Sequence, residues 1–286
     1  MIATRDDGRR VDDGTPAATS VRGCASLVFG RRGPRTVLLR SRVEAPLAVV
    51  RPFELPGGRL VVQLVTLGPG LCSGDVVDVD VIAEEGAEVV LTTTAATRIM
   101  SMDPGQHAEQ HIRFRADRGA SLEYYPALAI PFPASAFFQT LEIEAHPTAR
   151  VGVVESWALG RSARAEYLQF RSLISRTRLS IAGTLVYADA LVLEPARHDL
   201  AGAGVLDGRR YVAAGFFHGV GSIPEADPVP SSDRVDVALA LTRPGLAYLR
   251  ALADDAPALD AAVQGSLERV ARAWGHPLAR LGRFRC

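Results

Sequence analysis

The chain has 286 residues, 48% hydrophobic and 22% charged, with 32 basic and 32 acidic side chains and no net charge. That is the composition of an ordinary soluble protein with enough chain for one large domain or two smaller ones. All the basic residues are arginine, which excludes Schiff-base chemistry and P-loop nucleotide binding, and the neutral balance argues against a general nucleic-acid binder.

Residues Met1 to about Ser20 are polar and read as a disordered tail, leaving residues 21–286 as a single β-rich domain. The tail has no apolar core of a secretory signal, and no stretch reaches the length of a membrane span, so a cytoplasmic protein is expected. Strand signals follow at Thr36–Leu39 and Leu60–Val65. In Val77-Asp78-Val79-Asp80-Val81 strict alternation puts three valines on one face and two aspartates on the other. Further strands are predicted over Glu88–Thr94, His111–Arg115, Ser121–Tyr125, Leu141–Ala145, Arg150–Leu159, Tyr167–Ile181 and Thr184–Leu193. Arg197–Ser232 is rich in Gly and Pro and reads as irregular, and Asp233–Leu241 returns to a strand. From Pro244 the composition turns to Ala and Leu. A short helix is predicted over about 244–252, then a long one carrying Leu259, Ala262, Val263, Leu267, Val270, Ala271 and Trp274 on one face. Pro257 starts it and Gly275-His276-Pro277 ends it. The sum is a mainly β body with a helical C-terminal part.

Few groups nominate themselves for chemistry. Cys24, Cys72 and Cys286 are scattered and odd in number, which suits neither a disulfide framework nor a thiolate zinc site. His107 and His111 are four apart, but on a strand that is about 13 Å, too far for one ion, and a solvated strand edge is the better reading. Ser73 lacks the flanking glycines of a nucleophile elbow, and His198-Asp199 has no nucleophile to serve. The glycines at Gly68, Gly70 and Gly74 precede a strand rather than a helix, so they form a tight loop and not a phosphate cradle. Acidic residues among apolar neighbours are more informative: Asp75, Glu123 and Glu155 either face water, pair with arginines such as Arg51, Arg98 or Arg161, or line a wet passage for a cation. The residues leave those options open.

Ala45-Pro46-Leu47 with Arg51-Pro52-Phe53 is similar to the "GPL…RPF" opening of the urease accessory protein UreD (UreH) family, and Pro69 to Asp75 resembles that family's glycine-rich loop ending in Gly-Asp. Leu91-Thr92-Thr93-Thr94-Ala95-Ala96-Thr97-Arg98 resembles "LTTQAATK", Gly119 to Pro126 resembles "GAxLEWLP", and Leu159-Gly160-Arg161-Ser162-Ala163 with Glu166 resembles "LGRxAxGE". The five segments keep the family's order and spacing from Ala45 to Glu166. Departures are Ser73 for Gly, Thr94 for Gln, Arg98 for Lys and Ala165 for Gly; Ala127-Leu128 stands where the family carries a Gln and an acidic residue, which removes one carboxylate from any ion path.

The resemblance implies a superhelical stack of β-strands with about two C-terminal helices that help contact UreF. It implies a non-enzymatic maturation factor that joins UreF and the GTPase UreG on the urease apoprotein, within a dimeric accessory complex, and passes Ni²⁺ transiently without a tightly bound cofactor. By the same resemblance the passage is lined by Asp75, Glu155 and Asp189, with Glu123 and Glu166 as further candidates. Carboxylates and water hold such a cation loosely enough to release it. A β-rich ligand-binding or adhesion module, or a β-sandwich hydrolase, are the alternatives.

Overall fold

The computed structural model describes residues 20–223 and 232–275; the predicted N-terminal tail, to residue 19, lies outside them, as do His276 and Pro277. Strands β1 (Arg22–Arg32) and β2 (Arg35–Glu44) form a hairpin, and the short β3 (Leu47–Val49) and β4 (Phe53–Glu54) lead into β5 (Leu60–Thr66). Then follow β6 (Val76–Ala83), β7 (Glu88–Thr93), the short β8 (Thr97–Ile99), β9 (Ala108–Ala116) and β10 (Ser121–Tyr124). After the short β11 (Ala129–Pro131) come β12 (Ala136–Ala145), β13 (Arg150–Ala158), β14 (Ser172–Ile181) and β15 (Thr184–Leu193). The chain closes with β16 (Tyr211–Val220), β17 (Val235–Arg243), β18 (Gly245–Ala253) and the helix α1 (Ala256–Trp274).

These strands make two stacked sheets. The first has the order β15-β14-β12-β9-β6-β1-β2, the second β17-β18-β16-β13-β10-β7-β5-β3. Between β5 and β14 the long strands alternate between the sheets, so each coil of the solenoid lays one strand in each, parallel to the coil before. The corners stack as well: Asp117 N–H donates to Ala83 O, His146 N–H to Ala116 O and Ala182 N–H to Ala145 O. Hairpin strands β2 and β15 close the first sheet with antiparallel pairs.

Alternation decides what each strand buries. Val77, Val79 and Val81 are buried between the sheets, while Asp78 and Asp80 face outward and pair with Arg113 on the neighbouring strand. The second sheet is covered on both faces. Its inner side chains, such as Leu91, Leu122, Val153 and Phe216, join the main core, and its outer ones, such as Val90, Val154, Phe217 and Leu249, pack with Leu259, Val263, Leu267 and Trp274 of α1. Asp255 caps that helix, accepting from Ala258 N–H at 2.9 Å, and Gly275 ends it at φ 70°.

Two expectations are corrected. The segment predicted as a short helix, 244–252, is β18. Its Ala-Leu composition favours a helix locally, but Ala247, Leu249, Ala251 and Ala253 alternate toward α1 while Leu246 faces the core. Pairing with β16 and β17 overrides propensity, and one helix stands where about two were expected. The stretch read as irregular holds β16, whose Gly215 and alanines escape a strand search. A Cβ at Gly215 would run into the β13 backbone at Val153, so close approach explains the glycine.

Gly152 on β13 is a sharper case. A Cβ there would strike Tyr125 Oη and come within 3.0 Å of Trp274 and 3.3 Å of Phe217. Gly152→Val is expected to lose about 1–3 kcal/mol by forcing α1 off the sheet, measurable as a lower urea midpoint.

Candidate functional site: a polar row between the sheets

Strand β13 points Val151, Val153 and Trp157 into the main core, and the same parity carries Glu155 inward. The carboxylate is 6% exposed and is met from the opposite sheet. Gln139 on β12 donates from Nε2 to Glu155 Oε1 at 2.5 Å and to Ser175 Oγ at 3.0 Å, and Ser175 Oγ on β14 donates to Glu155 Oε2 at 3.5 Å. Gln110, Gln139 and Ser175 are partners in register on three adjacent parallel strands, so they form one polar row across the apolar face.

Two small cavities meet at this knot. One, of about 40 Å³, is lined by Gln110, Gln139, Glu155 and the hydroxyl residues Thr66, Thr93 and Thr97. The other, of about 10 Å³, is lined by Glu155, Ser175, Thr177, Tyr187 and Asp189. The first has room for a few waters and the second for about one. At the outer end of the second, Asp189 pairs with Arg250 on β18, Oδ1 to Nη2, at 2.5 Å.

Among the described residues no cation balances Glu155 directly. Burial is the main cause that pushes its carboxyl up, to about 7, with the nearby Asp189 charge adding to it and the hydrogen bonds from Gln139 and Ser175 opposing.

The other three candidates lie elsewhere and are committed. Asp75 staples the glycine-rich loop to the first strand, accepting from Val21 N–H at 2.9 Å and Cys72 N–H at 2.7 Å. Glu123 faces the opposite side of the second sheet, where it forms a buried ion pair with Arg59; burial pushes its carboxyl up and the Arg59 guanidinium opposes this. Glu166 takes both arms of Arg161, at 2.5 and 2.6 Å, and that guanidinium sits 4.0 Å from the Phe132 ring centre. Glu155 and Asp189 alone of the five share a cavity. His107 and His111 each hydrogen-bond one oxygen of Glu109, at 2.7 and 3.1 Å. Among the described residues no group of three or more His, Cys, Asp or Glu is placed to hold a metal ion.

The family described as "UreD urease accessory protein" matches residues 21–285. The chain is 36% identical over 262 residues to a urease accessory protein UreD of Deinococcus radiodurans, covering 90% of this chain and 94% of the relative. It is 40% identical over 193 residues to urease accessory protein UreD 1 of a Synechococcus species, 67% of this chain and 72% of that one.

The chain belongs to the UreD family of urease accessory proteins.

Its role therefore lies in urease maturation, alongside relatives named as accessory proteins rather than enzymes. The family segments now have physical reasons in the fold. In the loop ending in Gly-Asp, Gly70 lies against the Arg98 backbone where a Cβ would not fit, and Asp75 ties the loop down. Ala165, where the family has Gly, sits at φ 56°, the left-handed conformation that explains the glycine. Ala127, standing where the family pattern has a Gln, lines the larger cavity. No helix among the described residues is long and apolar enough to cross a membrane.

Gln110, Gln139, Ser175 and Arg250 escaped the sequence reading. The glutamines carried a usable signal: each occupies the inward parity of its strand, between Ala108 and Ile112 and between Phe137 and Leu141.

A raised carboxyl binds its proton more tightly in the folded than in the unfolded state. Glu155 therefore contributes stability that is full below about pH 4.5, its ordinary value, and is lost as pH rises through about 7. Glu155→Gln should gain on the wild type by up to about 3 kcal/mol between those limits, read from urea midpoints at pH 4.5 and 8.

Proposed function

We propose that the chain joins UreF and UreG on the urease apoprotein and passes Ni²⁺ through its interior, by way of Glu155 and Asp189. The reading rests on one observation: a carboxylate buried between the sheets, held by amide and hydroxyl groups, facing both cavities. Burying a carboxylate without a cationic partner is costly, and a structural role would be served at lower cost by an apolar side chain. Oxygen ligands and water suit a divalent cation that must be released, whereas thiolates would retain it. Asp75, Glu123 and Glu166 serve the fold, through the loop staple and the two arginine pairs. The rest of the larger cavity's lining is hydroxyl, amide and apolar, so Glu155 is the carboxylate a cation would meet there.

The other readings have less to stand on. His198 and Asp199 lie exposed in the turn after β15 and line neither cavity. Phe53 is the one aromatic ring among the exposed large hydrophobic side chains of the described residues, a poor surface for adhesion.

The test is urease activation in a host carrying the cognate structural and accessory genes. Glu155→Ala should reduce nickel in urease, and its activity, to a small fraction of wild type, while co-purification with the partners is unchanged. Asp75→Ala should instead lower the stability of the chain by about 1–3 kcal/mol, because two part-buried N–H groups lose their charged acceptor. Full nickel loading with the Glu155→Ala chain would reject the passage.

A further inference from the structure

At the β15 end of the solenoid a charged pair joins the two sheets. Asp189 comes from the inner face of β15 in the first sheet, and Arg250 from β18 in the second. The guanidinium lies on the Asp189 carboxylate at 2.5 Å, with the aspartate side chain 24% and the arginine 41% exposed. It also donates from Nη1 to the carbonyl of Leu249, beside it in the chain. Asp189 lines the smaller cavity and Arg250 does not, so the carboxylate stands between that cavity and the arginine, and the arginine stands toward solvent.

We propose that Arg250 is a tethered cation that holds Asp189 closed to metal ions, a latch at the outer end of the cavity. The inference rests on the passage reading above and adds the means by which the passage is kept shut in the free chain. A guanidinium and a divalent cation compete for the same carboxylate, and being of like charge they repel each other there. Arginine does not deprotonate in proteins, so raising the pH cannot lift the latch; the side chain has to move. It has room to do so, because it is the more exposed member of the pair and its stem is flexible. The opening agent is an acidic group on a docking partner, which would take the guanidinium by the same charge pairing and free Asp189 at the moment of transfer. Glu155 lies behind it with neutral donors, so a cation held there advances only when the next carboxylate is released.

A structural ion pair between the sheets would make a different prediction, and Ni²⁺ binding to the purified full-length chain separates the two. Equilibrium dialysis with Ni²⁺ alone is run on wild type, Arg250→Met, Arg250→Lys and the double variant Arg250→Met/Asp189→Asn. With the latch removed, Arg250→Met should bind Ni²⁺ about tenfold more tightly than wild type. Arg250→Lys keeps the charge and should stay near wild type. The double variant should lose the gain. A purely structural pair would lower stability without raising affinity, so a folded Arg250→Met chain with wild-type affinity overturns the latch. A gain that survives Asp189→Asn overturns it too, because the added site would then lie elsewhere. Arg250→Gln provides the same comparison if the Met variant does not fold. These measurements need no urease: normal urease loading by Glu155→Ala rejects the passage, whereas the dialysis result accepts or rejects the latch by itself.

Discussion

Register between parallel strands is the constraint on which the rest of this structure depends. From β1 through β6, β9 and β12 to β14, four consecutive parallel pairings run without a bulge, and the three in the second sheet do the same. Irregularities occur in antiparallel pairs, such as β1 with β2 and β14 with β15. Because side chains alternate with a period of two, a slip of one residue would exchange the core face for the solvent face along a whole strand. An unslipped stack turns equivalent positions of successive coils into rows. One row places Gln110, Gln139 and Ser175 side by side in an apolar interior, and another sets Asp80, Arg113, Glu142 and Arg178 in alternating sign on the outside.

The buried carboxylates settle the cost of leaving water in three ways. Asp75 accepts backbone N–H groups, which turns the charge into a loop anchor. Glu123 and Glu166 take arginines, and removing one partner of such a pair strands the other. Glu155 takes an amide and a hydroxyl, neutral donors that only partly offset its burial, and burial raises its affinity for protons. A site of this third kind is where the proposed passage places its mobile cation, while the first two kinds are already satisfied. Asp189 sits between the categories, being paired with an arginine that is itself half in solvent.

The second sheet shows how packing on both faces alters what a sequence looks like. Strands β16 and β18 lie between the core and α1, and their residues are small on the crowded side: Ala213, Gly215, Ala247, Ala251. Such strands lack the polar alternation of a half-exposed sheet. The helix depends on them in turn, since Leu259, Val263, Leu267 and Trp274 bury against this sheet.

By itself the sequence determined the mainly β body, the strands whose one face meets solvent, the long C-terminal helix with its apolar stripe and cap, and the family. Val77–Val81 and the stripe from Leu259 to Trp274 are local periodicities, and a local period survives whatever the rest of the chain does. Only the tertiary structure decided that 245–253 is a strand, because two-sided burial outweighs the helical propensity of Ala and Leu there. It also sorted the acidic residues. Glu123, Glu155 and Asp189 are alike as acidic residues, and their difference lies in partners distant in sequence: Arg59 for Glu123, Gln139 and Ser175 for Glu155, Arg250 for Asp189. Such pairings arise where coils and sheets meet, and no window of sequence contains both members.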